Sequence, residues 1–420
     1  IFRRLPWVLK EISRALVSDF RSPAWFHKTG ALLEVLLTTG AGLGVLAVAF
    51  RRRLGLAGWS LLVTLVLGIL SGLIPAGFNS HHHRYQIPFV PLATVLIVLG
   101  WWSLPRRVPR ALGVAALAVI GILLLPGAYR YTHTVANNAS NIRDHQVGLG
   151  RWIRDNLPPQ AVIGVNDAGA IAFYGERPMV DLVGLVTNGS ALPKRAGPGC
   201  LFEWLESLPP RGRPTHFAIF PTWFPYLRKT TLVGRQLTQV VLERNTISGA
   251  DLKAVFAANW RSVDSGDHLQ ERADLVGAWG FPVVAQLDVA DLVDERAHDY
   301  EVLGTWRSTL REFTYPHAPA EYLIDGGRQP SIGERFTLRC RPGEPAVLVM
   351  RTEAFRDFRL RVFANGTEVG LLEVPRLSSQ WAEPMIQISP DLVTGETLEL
   401  ELRVPEGDPP YPSFQYWLLQ

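Results

Sequence analysis

Cysteine and methionine are scarce in this chain, which has 2 Cys and 3 Met among its 420 residues. Cys200 and Cys340 lie far apart in the sequence, so a disulfide between them is permitted but not implied. The sequence contains no C-x-x-C or H-E-x-x-H pattern. These absences exclude the common cysteine-based zinc sites, the dithiol redox motif and the helical zinc-protease motif.

Acidic residues are nearly missing from the first third of the chain. Residues 1–130 carry 14 Lys or Arg against 3 Asp or Glu, whereas the whole chain carries 42 against 38. The basic residues stand in short clusters between apolar runs and not along one polar face, which is a poor pattern for nucleic-acid binding. We therefore expect no nucleic-acid partner.

Four apolar segments are long enough to be considered as membrane spans, since a bilayer core needs about 20 mostly apolar residues in a helix. They are residues 30–50, 57–77, 87–102 and 111–129. The third segment contains Pro88 and Pro91 near its start, where a helix tolerates missing donors. The sequence thus predicts a membrane α-helical part with four transmembrane helices.

Clusters of arginine set the orientation of these predicted helices. Residues 51–53 and 106–110 hold the richest clusters, and positive residues stay on the cytoplasmic side. The segment 1–29, the loop 81–85 and everything after Arg130 are then extracytoplasmic. Helical spacing of apolar residues also predicts that the segment 1–29 holds an amphipathic helix on the outer membrane surface. The alternative is a solvent-exposed helix that packs on the soluble domain. We expect an integral protein of a bacterial inner or plasma membrane.

The pattern changes after about residue 130. Short apolar runs such as AVIGV, PMVDLVGL and THFAIFP alternate with helical segments, which predicts an exported α/β domain over residues 131–300. Short alternating strands then predict a carboxyl-terminal β-sandwich of the jelly-roll kind over residues 301–420, with a tight hairpin at ANGTE. Such a sandwich can bind carbohydrate or serve as a structural cap.

Polar residues follow two of the predicted parallel strands. Asn166 and Asp167 come after AVIGV, and Asp181 ends the next strand. Ligands usually bind at the carboxyl ends of such strands, so these residues are candidates for a ligand site. The alternative is that they cap helices or tie loops. The aromatic run at residues 220–226 fits a sugar-stacking platform, a membrane-dipping loop or ordinary core packing.

The stretch HHHRY, residues 81–85, is polar between two apolar runs. Three consecutive histidines diverge, whereas a metal needs converging ligands, so we expect no metal site. Arg84 and Tyr85, with His83 as a helper, can instead bind the phosphate of a lipid through a guanidinium and a hydroxyl. The alternative is an anchor at the membrane interface.

Three stretches carry a family resemblance. HHHRYQIPFVPLATVLIVLGW, WIRDNLPPQAVIGVNDAGAIAFYGERPMVDLVGLV and the terminal PSFQYWLLQ resemble late membrane helices and exported domains of bacterial GT-C glycosyltransferases. These enzymes depend on polyprenyl-phosphate sugars and are related to the protein mannosyltransferases. The resemblance implies transfer of a sugar from a polyprenyl-phosphate donor to an extracytoplasmic glycan acceptor. The expected partners are therefore the lipid bilayer, the lipid-linked sugar and the acceptor, with no further cofactor.

The resemblance also implies that the catalytic half is missing. The family's general base is an acidic residue in the first extracytoplasmic loop, and this chain has no such loop, so its catalytic residues are unknown. We interpret the chain as the carboxyl-terminal portion of a glycosyltransferase, inactive by itself. The alternative is a non-enzymatic membrane-anchored protein that binds a glycan or a partner.

Overall fold

The computed structural model describes residues 25–50, 59–60, 63–64, 67, 87–102, 104, 108–269, 281–315, 318–377 and 381–420. The chain divides into two compact units, Ile1–Ser140 and Asn141–Gln420. The predicted amphipathic segment falls almost entirely outside the described residues.

The first unit is helical where it is described. Its helices are α1 (Trp25–Phe50), α2 (Val90–Trp102), which follows a 3-10 turn at Ile87–Phe89, and α3 (Arg110–Ile142), which continues into the second unit. Glycine lets α1 and α2 pack closely, because a Cβ on Gly100 would lie 1.9 Å from the carbonyl oxygen of Gly40. The Trp101 indole donates a hydrogen bond of 3.1 Å to the Leu36 carbonyl across the same contact.

The prediction of four transmembrane helices is wrong. In the described part of the chain one continuous helix, Arg110–Asn156, is long and apolar enough to cross a membrane, judged by length and composition. In the first and third predicted segments the apolar helical stretches are shorter, namely Val35–Ala47 within α1 and Val90–Trp102. The latter begins after Pro88 and has 13 residues, which span about 20 Å of the roughly 30 Å that a bilayer core requires. The second predicted segment lies mostly outside the described residues.

An α/β layer opens the second unit. Its helical elements are a π-helical turn (Arg143–Val147), α4 (Gly148–Asn156), α5 (Gly169–Gly175), α6 (Ala191–Ala196) and α7 (Pro198–Glu206), with 3-10 turns at Pro221–Trp223 and Leu227–Lys229. Its strands are β1 (Ile163–Val165), β2 (Met179–Asp181), β3 (His216–Ile219), β4 (Val233–Val241) and β5 (Leu252–Ala258). The sheet order is β2-β1-β3-β5-β4. β1 runs parallel to β2 and β3, whereas β5 is antiparallel to β3 and β4.

Helix α4 forms because its apolar residues recur at helical spacing on one face. Leu149 and Ile153 are buried there against Val165 and Val255 of the sheet. The helix stops at Asn156, and Leu157 is already extended before two prolines that cannot continue the helix.

A β-sandwich with one short helix, α8 (Leu292–Ala297), completes the unit. Its strands are β6 (Val283–Asp288), β7 (Glu301–Leu303), β8 (Trp306–Tyr315), β9 (Ala318–Pro330), β10 (Gly333–Arg339), β11 (Ala346–Glu353), β12 (Phe358–Ala364), β13 (Thr367–Val374), β14 (Trp381–Ala382), β15 (Met385–Ile388), β16 (Thr397–Arg403) and β17 (Ser413–Leu419), with a 3-10 turn at Pro390–Leu392. One sheet has the order β13-β12-β16-β10-β7. The other has the order β14-β11-β17-β9-β8, with β15 paired to β11 and β6 paired to β17.

Alternating residues build the sandwich core. Every second side chain of β12 is buried, and Leu360 and Val362 meet Leu348 and Met350 of the facing sheet in one hydrophobic cluster. The hairpin predicted at ANGTE is confirmed, because β12 and β13 pair across it. Asn365 and Gly366 have φ values of 48° and 78°, as a tight hairpin turn requires.

Helix α7 joins the α/β layer to the sandwich. Phe202 and Leu205 of this helix lie in one buried cluster with Leu310 of β8 and Ile324 of β9. Gly199 permits the approach, since a Cβ there would lie 2.3 Å from the Thr309 carbonyl oxygen. The two layers therefore share apolar packing within one unit.

Candidate functional site

Asp181, at the carboxyl end of β2, ties the loop that follows it. Its carboxylate accepts hydrogen bonds from the backbone N–H groups of Val183 (2.9 Å), Leu185 (2.5 Å) and Val186 (2.9 Å). The residue is almost fully buried. Three backbone donors occupy the carboxylate, which corresponds to the loop-tying alternative for this residue.

Asn166 and Asp167 lie together at the carboxyl end of β1. The buried Asn166 accepts a hydrogen bond of 3.0 Å from the backbone N–H of Phe220, the residue that follows β3. Asp167 accepts one of 2.5 Å from the Gln146 amide in the π-helical turn. π-helical turns are rare and are often found at functional sites. All three sequence candidates therefore lie at the same edge of the sheet, because β1 and β2 are parallel. Asn166 and Asp167 bond to neighbouring elements, whereas Asp181 ties its own loop.

A buried lysine completes this polar network. The Lys253 ammonium donates to Gln146 Oε1 at 2.8 Å, lies 3.8 Å from Asp167 and stands 4.5 Å from the centre of the Phe220 ring. Burial lowers the pKa of Lys253 to about 8 despite the opposing effect of Asp167. His145 beside it is also buried, which lowers its pKa. The ammonium is closed off from solvent, so the network orders this edge of the sheet but leaves Lys253 out of reach of a large ligand.

A more accessible site lies where the α/β layer meets the sandwich. A pocket of about 460 Å³ opens there, lined by Leu192, Leu292, Glu295, Arg296, Asp299 and Tyr300. Two apolar side chains, three charged ones and an aromatic ring therefore share one concave surface. Arg296 and Asp299 are exposed to solvent, so a ligand can reach them directly.

An ion pair holds the inner side of this pocket in place. Arg328 of β9 donates to both carboxylate oxygens of Glu295, at 2.6 Å and 2.8 Å. Glu295 also accepts a hydrogen bond of 3.1 Å from the backbone N–H of Ala290. Both charged side chains are largely buried. A two-pronged pair of this kind fixes the orientation of the guanidinium.

The same guanidinium lies against an exposed indole. Its carbon stands 4.1 Å from the centre of the Trp306 ring, while 43% of Trp306 is exposed. The two residues share one face of the sheet, because Ser308 pairs with Arg328 and Trp306 lies two residues before Ser308. The ring is therefore held from one side and partly open to solvent, and Arg328 links it to Glu295 of the pocket lining.

Sequence reasoning missed this site. Trp306 is the first residue of β8 and Arg328 lies inside β9, and neither strand was among those predicted from the sequence. A charge inside a strand is normally assigned to the solvent face, whereas Arg328 is only 4% exposed. Its partner Glu295 lies on a separate helix, so the pairing becomes visible only in the folded chain.

A second group of charged residues is buried between α7 and the sandwich. Carboxyl oxygens of Glu203, Asp288 and Asp325 lie within 4.8 Å of one another, a spacing that can hold a metal ion. Burial raises the pKa of Glu203 and Asp288 well above the ordinary range, and raises that of Asp325 to about 6 although Arg351 opposes the shift. A cation or retained protons can neutralise the group, and the raised pKa values favour protons.

This burial predicts a pH dependence of stability. Burial raises the pKa of the neighbouring Glu206 from 4.5 to about 8. Because the folded-state pKa is the higher one, the stabilisation is complete below about pH 4.5 and is lost as the pH rises through about 8. The free energy of unfolding in urea should therefore fall between about pH 5 and pH 8, and Glu206→Gln should flatten this slope.

The comparison with Glu206→Gln isolates the effect from other titrating groups. His145 has a lowered pKa and acts in the opposite sense, while the contribution of Lys253 changes between about pH 8 and pH 10.5. An identical pH slope for the parent chain and the Glu206→Gln variant would contradict the assignment.

The residues expected to bind a lipid phosphate, His83, Arg84 and Tyr85, lie outside the described residues. The glycosyltransferase interpretation that depends on them stays a prediction. Cys200 and Cys340 are both free thiols in the structure.

Comparison with known families gives a match for part of the chain. Residues 140–315 match the family described as Domain of unknown function (DUF8728). This segment contains the α/β layer, α8 and the first strands of the sandwich. No curated protein matches the chain.

Several solved structures are similar to about a third of the chain. One is a family 35 carbohydrate-binding module from an environmental isolate, with 13% identity, 32% of this chain and 90% of that chain covered, and a TM-score of 0.24. Another is a carbohydrate-binding module of Cellvibrio mixtus lichenase 5A in complex with cellotriose, with 8% identity, coverage of 33% and 98%, and a TM-score of 0.22. A third is the C-terminal CBM6 of LamC from Zobellia galactanivorans, with 12% identity, coverage of 32% and 98%, and a TM-score of 0.20. Likeness at this level does not assign a ligand to this chain.

Proposed function

We propose that the second unit is a non-enzymatic glycan-binding module whose ligand stacks on Trp306 and reaches into the adjoining pocket. The observation that carries this proposal is the exposed indole held at 4.1 Å by a buried arginine, next to a concave surface with charged side chains. A flat, immobilised aromatic ring offers a large contact area at low entropic cost, because its rotamer is already fixed.

The pocket supplies the hydrogen bonds that a sugar needs. The exposed Asp299 carboxylate can accept from sugar hydroxyl groups, and the exposed Arg296 guanidinium can donate to ring and hydroxyl oxygens. Leu192 and Leu292 provide apolar surface for the C–H groups of the ring. The lining carries both charge signs, so the geometry favours a neutral oligosaccharide over a polyanionic one.

The proposal predicts a specific loss of affinity. The intact chain should bind members of an array of neutral oligosaccharides, and Trp306→Ala should weaken binding of the best one about tenfold or more by calorimetric titration. Loss of the stacking surface is the reason.

Phe355→Ala is the matched control. Phe355 is 46% exposed and lies between β11 and β12, so it presents a similar aromatic surface elsewhere on the sandwich. Its removal should leave the affinity unchanged. The proposal is wrong if no neutral oligosaccharide binds, or if Trp306→Ala binds as tightly as the parent chain.

A further inference from the structure

Exposed apolar side chains collect at one edge of the α/β sheet. Because β1, β2 and β3 are parallel, the loops that follow them emerge at the same edge. The β4–β5 connection emerges there too, since Ile219 at the end of β3 pairs with Ala254 near the start of β5. We call these loops the carboxyl edge.

The apolar side chains of this edge stand largely in solvent. Between 42% and 79% of each is exposed. They are Phe173 in the helix after β1, Leu185 and Val186 in the loop after β2, Trp223 after β3, and Val241 at the end of β4. They belong to separate loops, so they form projecting points and not one groove.

The backbone holds these points in place. The amides of Leu185 and Val186 are bound by the buried Asp181 carboxylate. The Trp223 indole donates a hydrogen bond of 3.3 Å to the Gly249 carbonyl in the β4–β5 connection. Their exposure is therefore a feature of ordered loops.

The polypeptide also enters the unit through this edge. Asn141 is the first residue of the unit, and its side chain donates a hydrogen bond of 2.9 Å to the Arg244 carbonyl. It also accepts a hydrogen bond of 2.9 Å from the backbone N–H of Thr246, and both partners lie in the β4–β5 connection. Asn141 belongs to the helix Arg110–Asn156, which by length and composition can cross a membrane. A membrane-compatible helix thus enters the unit at the edge that carries the exposed apolar side chains.

We propose that the carboxyl edge inserts its apolar side chains into the surface of a lipid bilayer. Tryptophan, phenylalanine and leucine are the residues that interfacial contacts use, with side chains placed at the boundary between headgroups and acyl chains. The exposed charges of the β4–β5 connection, Glu243, Arg244 and Asp251, carry both signs. The contact that we infer is made by the apolar side chains.

Site-directed fluorescence on the full chain tests this proposal. Leu185→Cys is labelled with an environment-sensitive fluorophore in a Cys340→Ser background and reconstituted in phosphatidylcholine vesicles. Cys200 does not interfere, since it is buried and its burial raises the pKa of the thiol to about 12. Leu371→Cys, at a site 43% exposed on β13 of the sandwich, carries the control label.

The label at residue 185 should be quenched about twofold by spin-labelled acyl chains, and the label at residue 371 should not. Quenching should persist between about 0.1 and 0.5 M salt. Absence of quenching at residue 185 overturns the proposal, and a blue-shifted but unquenched label there would mean that protein covers the edge. Quenching that disappears at high salt also contradicts apolar insertion. None of these outcomes depends on glycan binding.

Discussion

Replacing Arg351 with alanine is expected to lower the free energy of unfolding by about 3–5 kcal/mol. Arg351 of β11 is fully buried, and its guanidinium donates hydrogen bonds of 2.9 Å to Asp325 and 2.8 Å to Glu383. It also bonds the Gly266 and His268 carbonyl oxygens, which ties the segment after β5 to the sandwich. Removing the guanidinium leaves two buried carboxyl groups without their cation.

The loss should depend on pH. Arg351 opposes the effect of burial on Asp325, whose pKa is about 6 in the intact chain, so without the guanidinium that pKa rises further. A protonated carboxyl tolerates burial better than a carboxylate, so Arg351→Ala should cost less at about pH 5 than at pH 8. Urea unfolding at both pH values measures this difference.

Arg361→Ala is the matched control. Arg361 forms a similar pair with Glu368, but both side chains are about half exposed, so its loss should change the free energy of unfolding little. Equal effects of the two substitutions would contradict the importance assigned to the buried pair.

Replacing Glu334 with alanine should have the second large effect, about 4 kcal/mol or more, because several buried hydroxyl groups lose their acceptor. One carboxylate oxygen accepts from Tyr411 at 2.6 Å and Tyr416 at 2.5 Å. The other accepts from Tyr300 at 2.5 Å and Ser413 at 2.9 Å. These bonds cross the interior of the sandwich, so their loss should also lower the unfolding temperature.

Two further variants identify the cause. Glu334→Gln keeps one acceptor oxygen and the side-chain volume, so it should be less harmful than Glu334→Ala. Glu344→Ala removes an acid whose pair with Arg341 is about half exposed and should change stability little. A stability of Glu334→Ala equal to that of the parent chain would show that the hydroxyl groups find other partners.

Local sequence signals predicted much of the second unit. Asn365 and Gly366 mark a hairpin because few other residues adopt positive φ. The apolar run at residues 161–165 marks β1 because a strand in a parallel sheet is covered on both faces. These features depend on neighbours in the sequence, so a single sequence is enough to find them.

The same reasoning failed where the structure depends on contacts between residues that are far apart in the sequence. Hydropathy treats every apolar run alike, so it did not distinguish the 13-residue helix Val90–Trp102 from a membrane span. The sequence also did not show which charged residues inside strands are buried and paired. Glu334 and Arg351 are separated from several of their partners by more than 30 residues, and nothing local shows that those partners are near. Local pattern placed Asn166 and Asp167 at a strand end, where their role in a ligand site stays a prediction. The contact of Trp306 with Arg328 and Glu295 instead depends on three separate segments.

A graded substitution tests the proposal that Trp306 is the stacking surface of a glycan site. The affinity of the best neutral oligosaccharide is measured for the parent chain, Trp306→Phe and Trp306→Ala, with folding checked by circular dichroism. Stacking predicts the order parent, then phenylalanine, then alanine, with about tenfold or more between the extremes. Equal affinities across the three proteins would contradict the claim.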